Sequence, residues 1–210
     1  MRIFTFMISL LFLTAFYGTS EANEIRNNQP YKSTISYNAN TPIKIEINLT
    51  EDLAWRAENL PKKASDRGPS PLRTRNRGFT HNGYYGTNEL EKLQRILKKR
   101  VSKSLDKAGI NVSDEAQATL KLTLVDVAPS RPTLSQRAKD TRLSFNSISL
   151  GGAKILAVMV DANGNEIGEA SYAYYEQDIE EALTNSIWSD TRIAFNNFAR
   201  HLSGSVKETT

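Results

Sequence analysis

"GGAKILAVMVDANGNEIGEASYAYYE", Gly151 to Glu176, is the stretch whose reading decides the fold. Ala153 to Val160 is a nearly unbroken apolar run of strand length, and such a run predicts a strand covered on both faces. "DANGN", Asp161 to Asn165, reads as a hairpin turn, because Asn163-Gly164 supplies the positive φ angles that a tight turn needs. The return strand then runs from Glu166 to about Glu176 and carries Tyr172, Tyr174 and Tyr175 near its end. Before the first strand, Gly151-Gly152 marks a kink or bulge in an extended stretch that begins near Leu143.

Working outward, a second pattern of period two lies upstream. Ala118, Leu120, Leu122 and Leu124 alternate with Gln117, Thr119, Lys121 and Thr123, and Pro129 and Pro132 end that strand. Ser130 to Arg142 reads as a polar, basic connector. Further back, Leu90, Leu93, Leu97, Val101, Leu105 and Ala108 make one apolar stripe at helical spacing. Asn88 is the expected cap, with Glu91 in capping-box position, and Gly109 closes the helix. The opposite face carries Lys92, Arg95, Lys98, Lys99, Arg100, Lys103 and Lys107, a solvated face or part of a positive surface.

Ile43, Ile45, Ile47 and Leu49 alternate with Lys44, Glu46 and Asn48 to give the first strand, and Thr50 can cap a short helical segment behind it. At the other end of the chain Ser189 is an N-cap candidate, with Trp188 poised to staple onto Ile193. Phe195, Phe198, Ala199 and Leu202 form the buried stripe of this last helix, which Gly204 is expected to stop. The order strand, helix, strand, strand, strand, helix predicts one α+β domain over 43–204. Its sheet is about four-stranded and largely antiparallel, with two helices packed on one face. Residues 23–42 read as a disordered leader and 205–210 as a C-terminal tail.

Met1-Arg2, the mostly apolar run Ile3 to Tyr17, and Ser20 and Ala22 at small-x-small spacing follow the three-part plan of a secretory signal peptide over 1–22. The run contains Thr5, Ser9 and Thr14 and is shorter than the roughly 20 apolar residues of a bilayer-spanning helix, so no transmembrane anchor is expected after cleavage. The chain has no cysteine. Export without a disulfide places the whole stability of the fold on its apolar core and suits a soluble protein of the bacterial periplasm.

The formal net charge is +4, and Pro61 to Gly86 alone contributes +5 through Lys62, Lys63, Arg67, Arg73, Arg75 and Arg77 less Asp66. Three prolines and four glycines in that stretch forbid regular structure. So long a loop is either functional or disordered. With Phe79, Tyr84 and Tyr85 beside them, the six cations can grip an anionic polymer by charge and stacking; the alternative is a connector kept soluble by its charge. Nucleic acid is not expected as a partner of an exported chain, whereas an envelope protein, an anionic envelope polymer or an anionic lipid is. Tyr172, Tyr174 and Tyr175 read as an aromatic surface or as a core edge.

No catalytic residue, metal ligand or cofactor motif is predicted. The two histidines, His81 and His201, have no partner at metal spacing. No nucleophile elbow, phosphate-binding loop or Rossmann glycine pattern is present. Adjacent acids such as Glu51-Asp52 and Glu180-Glu181 do not share a helix face.

Four pieces in order, "LQRILKKRVSKSLDKAGI", "ATLKLTLVDVAPSRPT", "GGAKILAVMVDANGNEIGEAS" and "IWSDTRIAFNNFARHL", resemble a family of bacterial envelope proteins, many of them lipoproteins, whose shared domain has no assigned function. The resemblance runs from about Thr87 to Leu202 and implies a periplasmic α+β module without known catalytic residues. The chain departs from the lipoprotein members in lacking the acylated cysteine. The functional expectation is a non-catalytic binding or assembly module of the cell envelope. The alternatives are an envelope-polymer hydrolase, using the tyrosines with Glu176 or Asp178, and anionic-ligand binding by the basic loop.

Overall fold

A computed structural model describes residues 27–35, 37, 41–59, 85–141, 143–178, 180–181 and 186–207. Residues 1–22, read above as a signal peptide, and most of the basic segment, with Lys62, Lys63, Arg67, Arg73, Arg75 and Arg77, lie outside the described residues. In chain order the elements are β1 (Gln29–Ser33), β2 (Ile43–Leu49), α1 (Glu51–Glu58), α2 (Thr87–Lys107), β3 (Ala118–Ala128), α3 (Leu134–Lys139), β4 (Gly152–Val160), β5 (Glu166–Tyr175) and α4 (Ser189–Lys207).

They form a single α+β domain around one mixed sheet of five strands, in the order β1-β5-β4-β3-β2. Three of its four pairings are antiparallel, in keeping with the largely antiparallel sheet expected, and the expectation of four strands and two helices is corrected in detail. β2 and β3 are parallel, in register from Ile43↔Ala118 to Leu49↔Leu124. A fifth strand, β1, pairs antiparallel with β5 inside the segment read as a disordered leader. Two short helices, α1 and α3, join the long ones.

β1 is short and polar, so nothing in its own periodicity announces it. Tertiary contacts hold it: Tyr31 stacks on His201 with ring centroids 5.4 Å apart, and its hydroxyl lies 2.8 Å from Ser205 Oγ.

α2 follows its sequence pattern closely. Leu90, Leu93, Leu97, Val101 and Leu105 are all buried, and removing each such side chain from water contributes roughly 1.5–3 kcal/mol. That outweighs the roughly 0.3–1 kcal/mol available from a favourably placed cation on the polar face. At its end Ile110 N donates to Leu105 O and Gly109 N to Asp106 O, with Gly109 at φ 86°, which is the Schellman arrangement. The start differs from expectation. Gly86, not Asn88, is the cap, at φ 88° and ψ 132°, and no side chain caps the helix.

α4 also differs at its ends. It continues through Gly204 to Lys207, because Val206 extends the stripe of Phe195, Phe198, Ala199 and Leu202 and is itself buried. The tail read as 205–210 is therefore helical in its first part. Ile193 is 40% exposed, and Trp188 packs edge-on against Tyr85 instead of serving as a staple.

α2 and α4 cover one face of the sheet and meet each other at Ser104 and Ser203, whose hydroxyls are 2.9 Å apart. Ile155, Ala157 and Met159 point into this core, but Leu156 on the reverse side of β4 is exposed, so the expected burial of both faces is wrong. A bulge between Leu124 and Asp126 inverts the alternation of β3. Leu120, Leu122 and Leu124 face the core before it; Val127 does so after it, leaving Asp126 and Ala128 on the outer face.

The extended stretch expected from Leu143 begins as a strand only at Gly152. The connector before it is built around α3, whose capping box is complete: Gln136 N donates to Thr133 Oγ1 at 3.1 Å and Thr133 N donates to Gln136 Oε1 at 2.9 Å.

Candidate functional site

The strand directions collect the long connections at one end of the sheet. β2, β3 and β5 finish there and β4 starts there, so Thr50, Pro129, Gly151 and Glu176, the described ends of these connections, lie together. Loops carried on a rigid scaffold in this way are where proteins place recognition chemistry. Gly86 N donates to Ala57 O at 3.0 Å, which fixes the two described ends of the basic segment, Asn59 and Tyr85, beside each other at this end.

Beneath those ends lies a connected polar and aromatic cluster. Arg56 of α1 donates through both terminal nitrogens to Asp126 Oδ1 at 3.2 Å, and its Nη1 lies 3.3 Å from the Tyr85 hydroxyl. Asp52, one turn back, pairs with Arg56 Nε at 2.8 Å. Tyr175 donates to the second oxygen of Asp126 at 2.9 Å. Trp188 packs on buried Tyr85 and donates its indole N–H to Glu89 Oε2 at 2.6 Å. The side chains of Arg56 and Asp126 are about one-sixth exposed, and the hydrogen bonds among Arg56, Tyr85, Asp126 and Tyr175 tie α1 and the start of α2 to the outer face of β3 and β5.

A second polar group pins α4 to the same end. Asp190 is inaccessible, and its Oδ2 accepts from Ser130 Oγ at 2.7 Å and from Gly151 N at 3.1 Å. Burial raises its carboxyl above the ordinary aspartate range, while the Ser130 and Gly151 donors pull it back. Thr191 Oγ1 lies within hydrogen-bond distance of both Ala128 O and Gly152 O.

The predicted tyrosines do not form a common surface. Tyr172 is buried in the core under α4 near His201, Tyr175 is buried on the outer face with Ala128 and Ala173, and Tyr174 is half-buried. Burial pushes the Tyr174 phenol up, helped by the Glu176 carboxylate, to which it donates at 3.0 Å. The other oxygen of Glu176 accepts from Gln177 N and Asp178 N, so this carboxylate holds a turn. Among the described residues no group of three or more His, Asp or Glu is placed to hold a metal ion, and no helix is long and apolar enough to cross a membrane.

What sequence reasoning missed is the edge of β2. Ile43 pairs on its outer side with a short parallel segment: Ile43 N donates to Asn111 O and Ser113 N donates to Ile43 O. Ile45 and Ile47, two and four residues on, point their backbone groups the same way. Among the described residues no strand lies alongside them: Gln94 Nε2 approaches Ile47 O at 3.4 Å, and Ile45 has no partner on that side. These groups open into a groove of about 580 Å³, walled by Glu91, Gln94, Arg95 and Lys98 of α2.

Two ion pairs flank the groove, Lys44–Glu46 at 2.7 Å and Lys98–Asp114 at 3.2 Å. The hydrogen bond to Lys44 holds the Glu46 carboxyl below its usual range. Exposed charge of both signs along an open edge guards it against indiscriminate strand pairing. Alternation in 43–49 signalled the strand; nothing in it signalled which edge would stay open.

No family model and no curated protein matches the chain. Among solved structures, a PelC dodecamer from Paraburkholderia phytofirmans is similar with a TM-score of 0.45 at 9% identity, covering 83% of this chain and 96% of that one. Protein XCC0632 from Xanthomonas campestris, of family DUF330, gives 0.44 at 9% identity, covering 80% and 84%. At such scores the resemblance assigns nothing.

Proposed function

We propose that the chain is a non-catalytic binding or assembly module of the bacterial cell envelope, exported to the periplasm, that holds an extended segment of an envelope protein against the open edge of β2. The observation that carries this reading is the row of outward backbone groups at Ile45 and Ile47 in a groove with a polar wall. An added strand gains directional main-chain hydrogen bonds there, and its alternate side chains meet Gln94, Arg95 and Lys98 on one side and the Lys44–Glu46 pair on the other. From Ile45 to Leu49 the edge spans about 13 Å, enough for a guest of about four residues.

Export is supported by the signal pattern of Met1 to Ala22 and by the absence of cysteine. A role without catalysis is supported by the engagement of Asp126, Glu176 and Asp190 in structural hydrogen bonds.

The test is a photo-crosslinking residue placed at Asn48 in the groove and, separately, at Glu169 of β5, three strands away in the sheet. A discrete protein adduct from position 48 in intact cells, absent from position 169, is the expected result. No adduct at 48, or the same adducts from positions 48 and 169, overturns the reading.

A further inference from the structure

A second groove lies on the other flank of α2, where it meets α4. The two helices run side by side, from Trp188 against Glu89 near their starts to Ser104 against Ser203 further on. Between their second halves is a recess of about 160 Å³, lined by Arg100, Lys103, Ser104 and Lys107 of α2 and by Asn196 and Ala199 of α4. Its base is made of small side chains. Ser203 Oγ donates to Arg200 O at 3.0 Å, so Ser104 is the donor in the bond between the two hydroxyls, and Ala199 is buried.

Donors dominate the rim. Arg100, Lys103 and Lys107 are exposed, and among the described residues their charged groups meet no carboxylate. Asn196 is exposed too, and its side-chain amide engages no described group. None of the residues lining the recess is acidic. Asp106 is the one acid between Lys92 and Lys107, and Asp190, the one acid of α4, is buried and accepts from Ser130 and Gly151.

Ordinary helix chemistry explains only part of this arrangement. A cation in the last turn is favoured by the helix dipole, which accounts for Lys107; the effect falls off within that turn and does not reach Arg100 or Lys103. Lys103 stands four residues from both Lys99 and Lys107 and three from Arg100, and like charges at those spacings oppose helix formation. At the β2 groove, by contrast, Lys44 and Lys98 each have a carboxylate. On the α4 flank the charge is left uncompensated around a recess, where a bound anion relieves it.

We infer that the groove between α2 and α4 is a binding site for a phosphate group. The Arg100 guanidinium offers the planar fork that matches phosphate oxygens, Lys103 and Lys107 supply point charges, and the Asn196 amide adds a neutral donor from the facing helix. Three cations around one recess suit a phosphomonoester, close to a dianion at neutral pH, better than a singly charged carboxylate. At about 160 Å³ the recess is about half the smallest volume usual for a drug-sized ligand, so it takes a phosphate with a glycerol- or sugar-sized neighbour and not a nucleotide cofactor. It lies about 25 Å along α2 from Gly86 and shares no lining residue with the β2 groove, so its test is independent of the strand-binding reading.

The test uses the chain from Asn23 onward, which retains every described residue, at constant ionic strength. Inorganic phosphate and glycerol 3-phosphate are the soluble probes, and vesicles of phosphatidylcholine with phosphatidic acid carry the same group on a membrane. Saturable shifts of the backbone amide signals at positions 103 and 196 on adding the soluble probes are expected, with Kd in the millimolar range. Arg100→Gln/Lys103→Gln should weaken binding by about tenfold or more. Lys92→Gln/Lys99→Gln removes the same charge from α2 outside the groove and should leave the affinity unchanged. Should the first double variant fail to fold, Asn196→Ala replaces it, with weaker binding expected although no charge is altered. Vesicle binding that the Arg100/Lys103 substitutions abolish assigns the phosphate to a lipid headgroup, and binding of the soluble probes alone assigns it to a soluble ligand. No saturable binding at constant ionic strength overturns the inference. So do equal losses in the two double variants, which would make the helix face a diffuse cationic surface.

Discussion

Tyr175 lays its ring over Gly152 and donates its hydroxyl to Asp126, two strands away. The contact is possible because Gly152, between Ala128 and Tyr175 in the sheet, has no side chain to occupy that space. A Cβ there would sit 2.5 Å from Tyr175 Cδ1 and 2.6 Å from its Cα, and would also strike Tyr174 O. Two of those atoms are backbone, so rotating a side chain cannot relieve the clash. Gly152→Ala should destabilise the fold by about 2 kcal/mol or more. Thermal unfolding checks this, with a drop in Tm of about 2–4 °C per kcal/mol expected at this chain length. A wild-type melting temperature would mean that the ring does not cover Gly152.

How far the fold was legible follows from where each element gets its stability. α2 and the β4–β5 hairpin were readable because their own apolar spacing and turn chemistry match what the tertiary structure rewards. Leu97 and Ile155 are fully buried as their positions in the pattern require. β1 was not readable, since Tyr31 is held by His201 and Ser205, residues about 170 positions away. Of the two readings of the tyrosines, the core edge is the one that Tyr172 and Tyr175 fit, because a strand sends neighbours to opposite faces: Tyr174 and Tyr175 cannot share a surface, and Tyr172 lies under α4. One missed signal was present in the sequence, for Thr133 and Gln136 stand at capping-box spacing and make that box. The bulge at Leu124/Asp126 had no comparable marker.

Asp190 makes stability depend on pH in a direction opposite to that of most carboxylates. Its folded-state value is raised by burial. The stability it contributes is therefore full below the unfolded aspartate value of about 3.9 and is lost as pH rises through the folded value. Asp190→Asn removes the titration while keeping an oxygen for Ser130 and Gly151. The difference in Tm, wild type minus variant, should fall as pH rises from about 4 and then level off above the folded value. Melting curves of both proteins across that range test the sign. A difference that rises with pH would place the folded carboxyl below its ordinary value.

Gly86 joins the basic segment, α2 and α3 at a single backbone position. At φ 88° and ψ 132° it occupies a region that side-chain-bearing residues avoid, and a Cβ there would lie 2.5 Å from Ser135 Oγ and 3.2 Å from its Cβ. The backbone strain alone is worth about 1–3 kcal/mol, and the displaced Ser135 would disturb the seat of α3. Gly86→Ala should accordingly lower stability by about 2 kcal/mol or more. Adding Ser135→Ala should recover the part due to the hydroxyl, because the flexible atom is the closer of the two contacts. The backbone part should persist in the double variant, since it does not depend on what Ser135 carries. Denaturant unfolding of the two single variants and the double variant separates the contributions. Full recovery in the double variant would show that the conformation of Gly86 carries no strain for alanine and that its glycine serves packing against α3 alone.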